Sequence, residues 1–100
     1  MKFKVSKNQL TRNLRDALRG ANYFGIQDSR SGNNSFVRVL ARNAHYPRFH
    51  LYIDETNDSY QFNLHLDQKK PIYSGQKAHN ADYDEPAVQE EAERIQSMIQ

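Results

Sequence analysis

Two stretches of the chain alternate strictly between apolar and polar residues. In Arg48-Phe49-His50-Leu51-Tyr52-Ile53-Asp54, the apolar Phe49, Leu51 and Ile53 interleave with Arg48, His50 and Tyr52. After Glu55-Thr56-Asn57-Asp58-Ser59 the alternation resumes: Tyr60, Phe62, Leu64 and Leu66 fall on one side, Gln61, Asn63, His65 and Asp67 on the other. A period of two sustained this long predicts half-buried antiparallel strands, here joined as a hairpin. Ser35 to Ala41 reads as a further strand, with Val37 and Val39 on one face and Phe36, Arg38 and Leu40 on the other. Tyr23–Gln27 carries a weaker strand pattern, followed by a turn-rich stretch over 28–34.

Helical spacing appears at both ends. Leu10, Leu14, Ala17 and Leu18 form one stripe and predict a helix over 7–19; Ser6 and Gln9 stand at capping-box spacing and Gly20 at the stop. Val88, Ala92, Ile95 and Ile99 form another, in a helix from about Glu85 to the C-terminus. Asp84 suits its N-cap and Pro86 its first turn. Glu85, Glu90, Glu91 and Glu93 crowd its N-terminal half, as the helix dipole favours. Between hairpin and helix, residues 68–83 carry Pro71, Gly75 and Asn80 with little periodicity and read as a long loop. The expected architecture is one α+β domain over 1–100. It has two layers in the order helix, antiparallel β-meander of three or four strands, helix, with both helices on one sheet face.

That arrangement leaves the other sheet face polar. Setting Ile53 opposite Tyr60 puts His50 beside Asn63 and Arg48 beside His65, with Tyr46 and Asp67 next. With Arg38 added from the preceding strand, the face groups Arg38, Arg48, His50, Tyr52, Asn63, His65 and Asp67. A slip of register that keeps the phase changes neighbours but not faces.

Composition narrows the possibilities. Hydrophobic residues are 37% and charged residues 26%, enough for a thin core. There is no cysteine, which removes disulfides, thiolate metal sites and cysteine nucleophiles. No apolar run is long enough to span a membrane, and the start lacks a signal-peptide stretch, so a cytoplasmic protein with no membrane contact is expected. The net charge of +2 conceals an asymmetry: residues 1–53 hold ten Lys/Arg against two acids, a net of +8, and residues 54–100 hold four against ten, a net of −6. A basic half suits a polyanion; alternatively the two halves attract each other within the fold.

Three functions fit the polar face. The leading one is a small nucleic-acid-binding domain, RNA-leaning, in which Arg38 and Arg48 hold phosphates, Tyr52 stacks, and His50 and His65 add pH-dependent contacts. The competing bland reading is a solvated sheet face held by ordinary cross-strand pairs. The second function is a small hydrolase, possible with or without a metal, centred on His50, His65, Asp67 and His79, with Asp82 and Asp84 near the last; imidazole and carboxylate suit both proton transfer and a metal. No spacing here forms a strong metal signature. The third is a protein-interaction module using the acidic last helix or the 68–83 loop, where Ile72, Tyr73 and Tyr83 need cover from the core edge or a partner. No Gly-rich phosphate loop is present and no cofactor is implied. The oligomeric state is not legible.

Two resemblances add to this reading. Pro47-Arg48-Phe49-His50-Leu51-Tyr52, then His65-Leu66-Asp67-Gln68-Lys69-Lys70-Pro71 and Ala78-His79, resemble a group of small bacterial proteins that carries no established activity. More loosely, Leu14 to Leu18, Phe24, Gly32 and Ser35-Phe36-Val37 follow the order of the first helix and hairpin of the HicA-type toxins, a double-stranded-RNA-binding-like fold that cleaves mRNA. The histidine taken as catalytic there follows a Gly-Ser pair. Here Gly32 is followed by Asn33-Asn34-Ser35, so the resemblance implies the layout without that nuclease centre.

Overall fold

A computed structural model of the chain describes residues 1–28, 32–68 and 86–100. Its elements are β1 (Lys2–Ser6), a 3₁₀ turn (Lys7–Gln9), α1 (Leu14–Gly20), β2 (Phe24–Asp28), β3 (Gly32–Val39), β4 (Arg48–Glu55), β5 (Ser59–Asp67) and α2 (Pro86–Ile99). The strands form one antiparallel sheet in the order β1-β5-β4-β3-β2. The last four strands are the expected meander, and β1 adds a fifth beyond β5.

Lys2-Phe3-Lys4-Val5 alternates in the same way as the hairpin, over too few residues to stand out. Phe3 and Val5 meet Phe62 and Tyr60 across the β1–β5 pair, which keeps all four on one face. The β4–β5 hairpin closes more tightly than the sequence suggested. Thr56 and Ser59 bond each other through backbone and hydroxyl, so Glu55 meets Tyr60 and Ile53 meets Phe62. The difference is two residues, so every side chain keeps its expected face.

The first helix is shorter than its apolar stripe implies. Leu10 is extended, and α1 starts only after Asn13, whose side chain accepts from the Asp16 N–H at 2.9 Å. Ser6 and Gln9 do pair, with the Gln9 side chain accepting from the Ser6 N–H, but they frame the 3₁₀ turn rather than the helix. The chain leaves α1 through Asn22 at φ 73°, a left-handed turn that Asn tolerates better than most residues.

Val5, Phe36, Phe49, Leu51, Ile53, Phe62 and Leu64 are buried together with Ala17 and Leu18 of α1 and Val88, Ala92, Ile95 and Ile99 of α2. Both helices therefore share the core with one face of the sheet. At its margin Glu91, only 5% exposed, accepts from the Tyr23 hydroxyl at 2.7 Å, from Arg38 at 3.0 Å and from Arg94 at 3.0 Å. Arg94 also reaches the Ala21 carbonyl. One carboxylate thus ties α2 to β3 and to the segment between α1 and β2. Burial first, and then the Glu91 charge, push the Tyr23 phenol far above its ordinary value, so it stays a neutral donor. The expected 68–83 loop beyond Gln68, with Ile72, Tyr73, His79, Asp82 and Tyr83, lies outside the described residues, as does Asp84.

Candidate functional site

The register orders the sheet face opposite α1 and α2 in rows across the strands. Lys2, Asn63, Tyr52 and Ser35 form one row; His65, His50, Val37 and Phe24 form the next; Asp67, Arg48 and Val39 form a third. Lys4, Gln61 and Asp54 lie on the other side of the first row. Neighbouring strands sit about 4.8 Å apart, so four strands span roughly 14 Å.

His50 is the centre of this face and is only 5% exposed. Its Nε2 lies 2.5 Å from Ser35 Oγ and its Nδ1 lies 3.1 Å from Asp67 Oδ2. For a neutral ring the partners fix the tautomer: Nδ1–H donates to the carboxylate and Nε2 accepts from the hydroxyl. The Tyr52 ring stacks on the His50 ring at 4.3 Å and 21°, and the His65 ring meets Tyr52 edge-on at 5.5 Å. Arg48 Nε lies 3.3 Å from the same Asp67 oxygen, and its guanidinium covers the Tyr46 ring at 4.5 Å.

Of the residues singled out from sequence, His50, Tyr52, His65, Asp67, Arg48 and Asn63 share this face. Arg38 does not, and its assignment to the patch is corrected. It stands directly opposite the buried Phe49, lies over that ring, and pairs with Glu91 on the helix side. The strand misled because Ser35–Leu40 carries apolar side chains on both faces: Phe36 is the one turned to the core, and Arg38 shares its phase. His79 lies outside the described residues. Among the described residues, no group of three or more His, Asp or Glu side chains could hold a metal ion.

Sequence reasoning passed over Ser35, Lys2 and Lys4, which also lie on the face. Ser35 was hidden by the same two-sided pattern, and Lys2 and Lys4 by the shortness of β1. Both lysines are exposed, and no ion pair is recorded for either among the described residues. By contrast Lys7–Glu55, Arg38–Glu91 and Arg48–Asp67 join the basic half of the chain to the acidic half. Part of the charge asymmetry is therefore spent inside the fold.

Two acid-side shifts follow from the geometry. Burial, and then the positive amino terminus, lower the His65 pKa from its ordinary 6.5, against the pull of Asp67. For Asp67, burial acts upward, but the hydrogen bonds and charges of His50 and Arg48 outweigh it and hold the carboxyl below its ordinary 3.8. Folded His65 resists a proton that the unfolded chain accepts, so stability declines as pH falls below 6.5 until the folded ring titrates. The Asp67 contribution is present above 3.8 and is lost as pH falls from there through the folded value. Urea midpoints measured from about pH 8 to about pH 3 should fall in two stages. His65→Asn should remove the upper stage and Asp67→Asn the lower; midpoints that rise on acidification would contradict both assignments.

No protein-family model matches the chain, and neither a curated protein nor a solved structure matches it significantly. The face must be read from its own chemistry. No helix among the described residues is long and apolar enough to cross a membrane.

Proposed function

We propose that the sheet face opposite α1 and α2 binds single-stranded nucleic acid, RNA in preference to duplex DNA. The observation that carries this reading is the row Lys2–Asn63–Tyr52 with Lys4 in the row beside it: two exposed lysines at the β1 edge next to an amide and an aromatic ring stacked on a pinned histidine. Lys2 and Lys4 supply phosphate contacts, Tyr52 a stacking surface, and Asn63, Gln61 and His65 groups able to address base edges. Arg48 and His50 act less directly than their residue types suggest. Arg48 neutralises Asp67, and His50 supports Tyr52 by stacking against its ring.

Ser35, His50 and Asp67 also form the hydrogen-bond chain of a serine hydrolase. Ser35 is 0% exposed, however, and a nucleophile must be reached by its substrate. The chain therefore fits a buried buttress better than a catalytic centre.

The test is fluorescence anisotropy with a labelled single-stranded oligouridylate across a salt series. Affinity should fall steeply with salt and survive chelators, and each of Lys2→Glu and Lys4→Glu should take about 0.7 from the slope of log K against log salt. Affinity that ignores salt, or is unchanged in the double variant, would remove the proposal.

A further inference from the structure

The opposite edge of the sheet carries a second surface, at the far end of the rows that hold His50 and Arg48. β2 is the terminal strand, and among the described residues no backbone hydrogen bond joins it to anything but its neighbours in the fold. On the side of this edge away from α1 and α2, Phe24 is 54% exposed and Val39 42%, both large for apolar residues. β3 runs past the start of β2, because Phe24 pairs with Val37 and Val39 lies beyond it. The step leaves a shallow groove of about 450 Å³ lined by Asn22, Phe24, Val37, Arg38 and Val39.

The helix side of the same edge is cationic. A Cβ placed on Gly25 would sit 3.5 Å from Arg15 Nη1, so the Arg15 guanidinium hangs over the middle of β2. No ion pair is recorded for Arg15 among the described residues, in contrast to Arg38, Arg48 and Arg94. Among the described residues, this strand edge thus has no outer partner, with an apolar step on one side and a guanidinium without an ion pair on the other.

We propose that β2 receives an extended peptide as an added antiparallel strand, one in which acidic and apolar residues alternate. Successive side chains of a strand point to opposite faces, so a period-two peptide presents carboxylates to Arg15 while its apolar residues enter the Phe24–Val39 step. Main-chain hydrogen bonds to the outer edge of β2 supply the register. A second copy of the chain fits less well. Antiparallel pairing of two β2 edges about an axis normal to the sheet keeps both Arg15 side chains on one face, where like charges oppose the contact.

The experiment uses the full ¹⁵N-labelled chain with two probes: a short capped peptide alternating Glu and Val, and its Lys and Val counterpart. The acidic peptide should give saturable shifts at Phe24, Gly25, Ile26 and Val39, and the basic one none. Arg15→Glu should weaken the acidic peptide about tenfold or more, the loss of one charge-assisted contact and the gain of a repulsion. Phe24→Ser, also exposed, should weaken it independently, with circular dichroism confirming that both variants remain folded. The proposal is overturned if the acidic peptide leaves these amides unmoved at millimolar concentration, if both peptides bind equally, or if the same amides shift on dilution without peptide. That last result would assign the edge to a second copy.

Discussion

Glu91→Ala should be the most damaging single substitution outside the apolar core. The carboxylate receives the Tyr23 hydroxyl and two guanidinium groups. Its removal leaves a buried phenol without its acceptor and two partly buried cations without a counter-charge. Breaking such a set from one side costs about 3 kcal/mol, at the lower end of the range because both arginines keep some contact with water. For a domain of this size, that lowers Tm by roughly 15 °C. Glu91→Gln should recover only a fraction, since an amide can accept from Tyr23 but does not neutralise Arg38 or Arg94. Glu93→Ala, an exposed neighbour on the same helix, should change stability by less than about 0.5 kcal/mol. Thermal unfolding of the three variants checks the ordering. Equal effects at 91 and 93 would mean that the cluster is not what fastens α2 to the sheet.

His50→Ala should follow closely, for a different reason. It removes a buried ring from the other face and deprives Ser35 and Asp67 of a partner at the same time. Cavity formation together with an unsatisfied buried hydroxyl costs about 3 kcal/mol. Tyr52 also loses the ring on which it stacks. Oligonucleotide affinity at a temperature where the variant is fully folded should therefore fall together with stability, although His50 itself is nearly inaccessible. Urea unfolding and anisotropy on the same preparation separate the two effects. Full affinity retained in folded His50→Ala would show that Tyr52 needs no support from the His50 ring.

These two residues mark what could and could not be read from the sequence. The β4–β5 hairpin was legible because both of its strands alternate over seven or more residues, and their phase alone put His50, His65 and Asp67 together. The exact partners were not legible, because a tight Thr56–Ser59 turn and a looser one preserve the same phase. α2 was legible because Val88, Ala92, Ile95 and Ile99 all face the core. Nothing in that stripe distinguishes Glu91 from Glu90 or Glu93, since its burial depends on Tyr23 and Arg38 arriving from distant segments. β3 misled for the complementary reason. With Phe36 and Val37 adjacent, its pattern names no face, and only pairing with Phe49 turns Arg38 toward the helices. β1 needed β5 beside it before four alternating residues became a strand.

The most direct test of the nucleic-acid reading is a map of contact on the protein itself. Amide and side-chain NMR shifts of the full chain, titrated with unlabelled oligouridylate, should cluster at Lys2, Lys4, Tyr52, Gln61, Asn63 and His65 and leave α1 unmoved. Shifts confined to Arg12, Arg15 and Arg19 of α1, or none at millimolar oligonucleotide, would contradict the assignment of this sheet face.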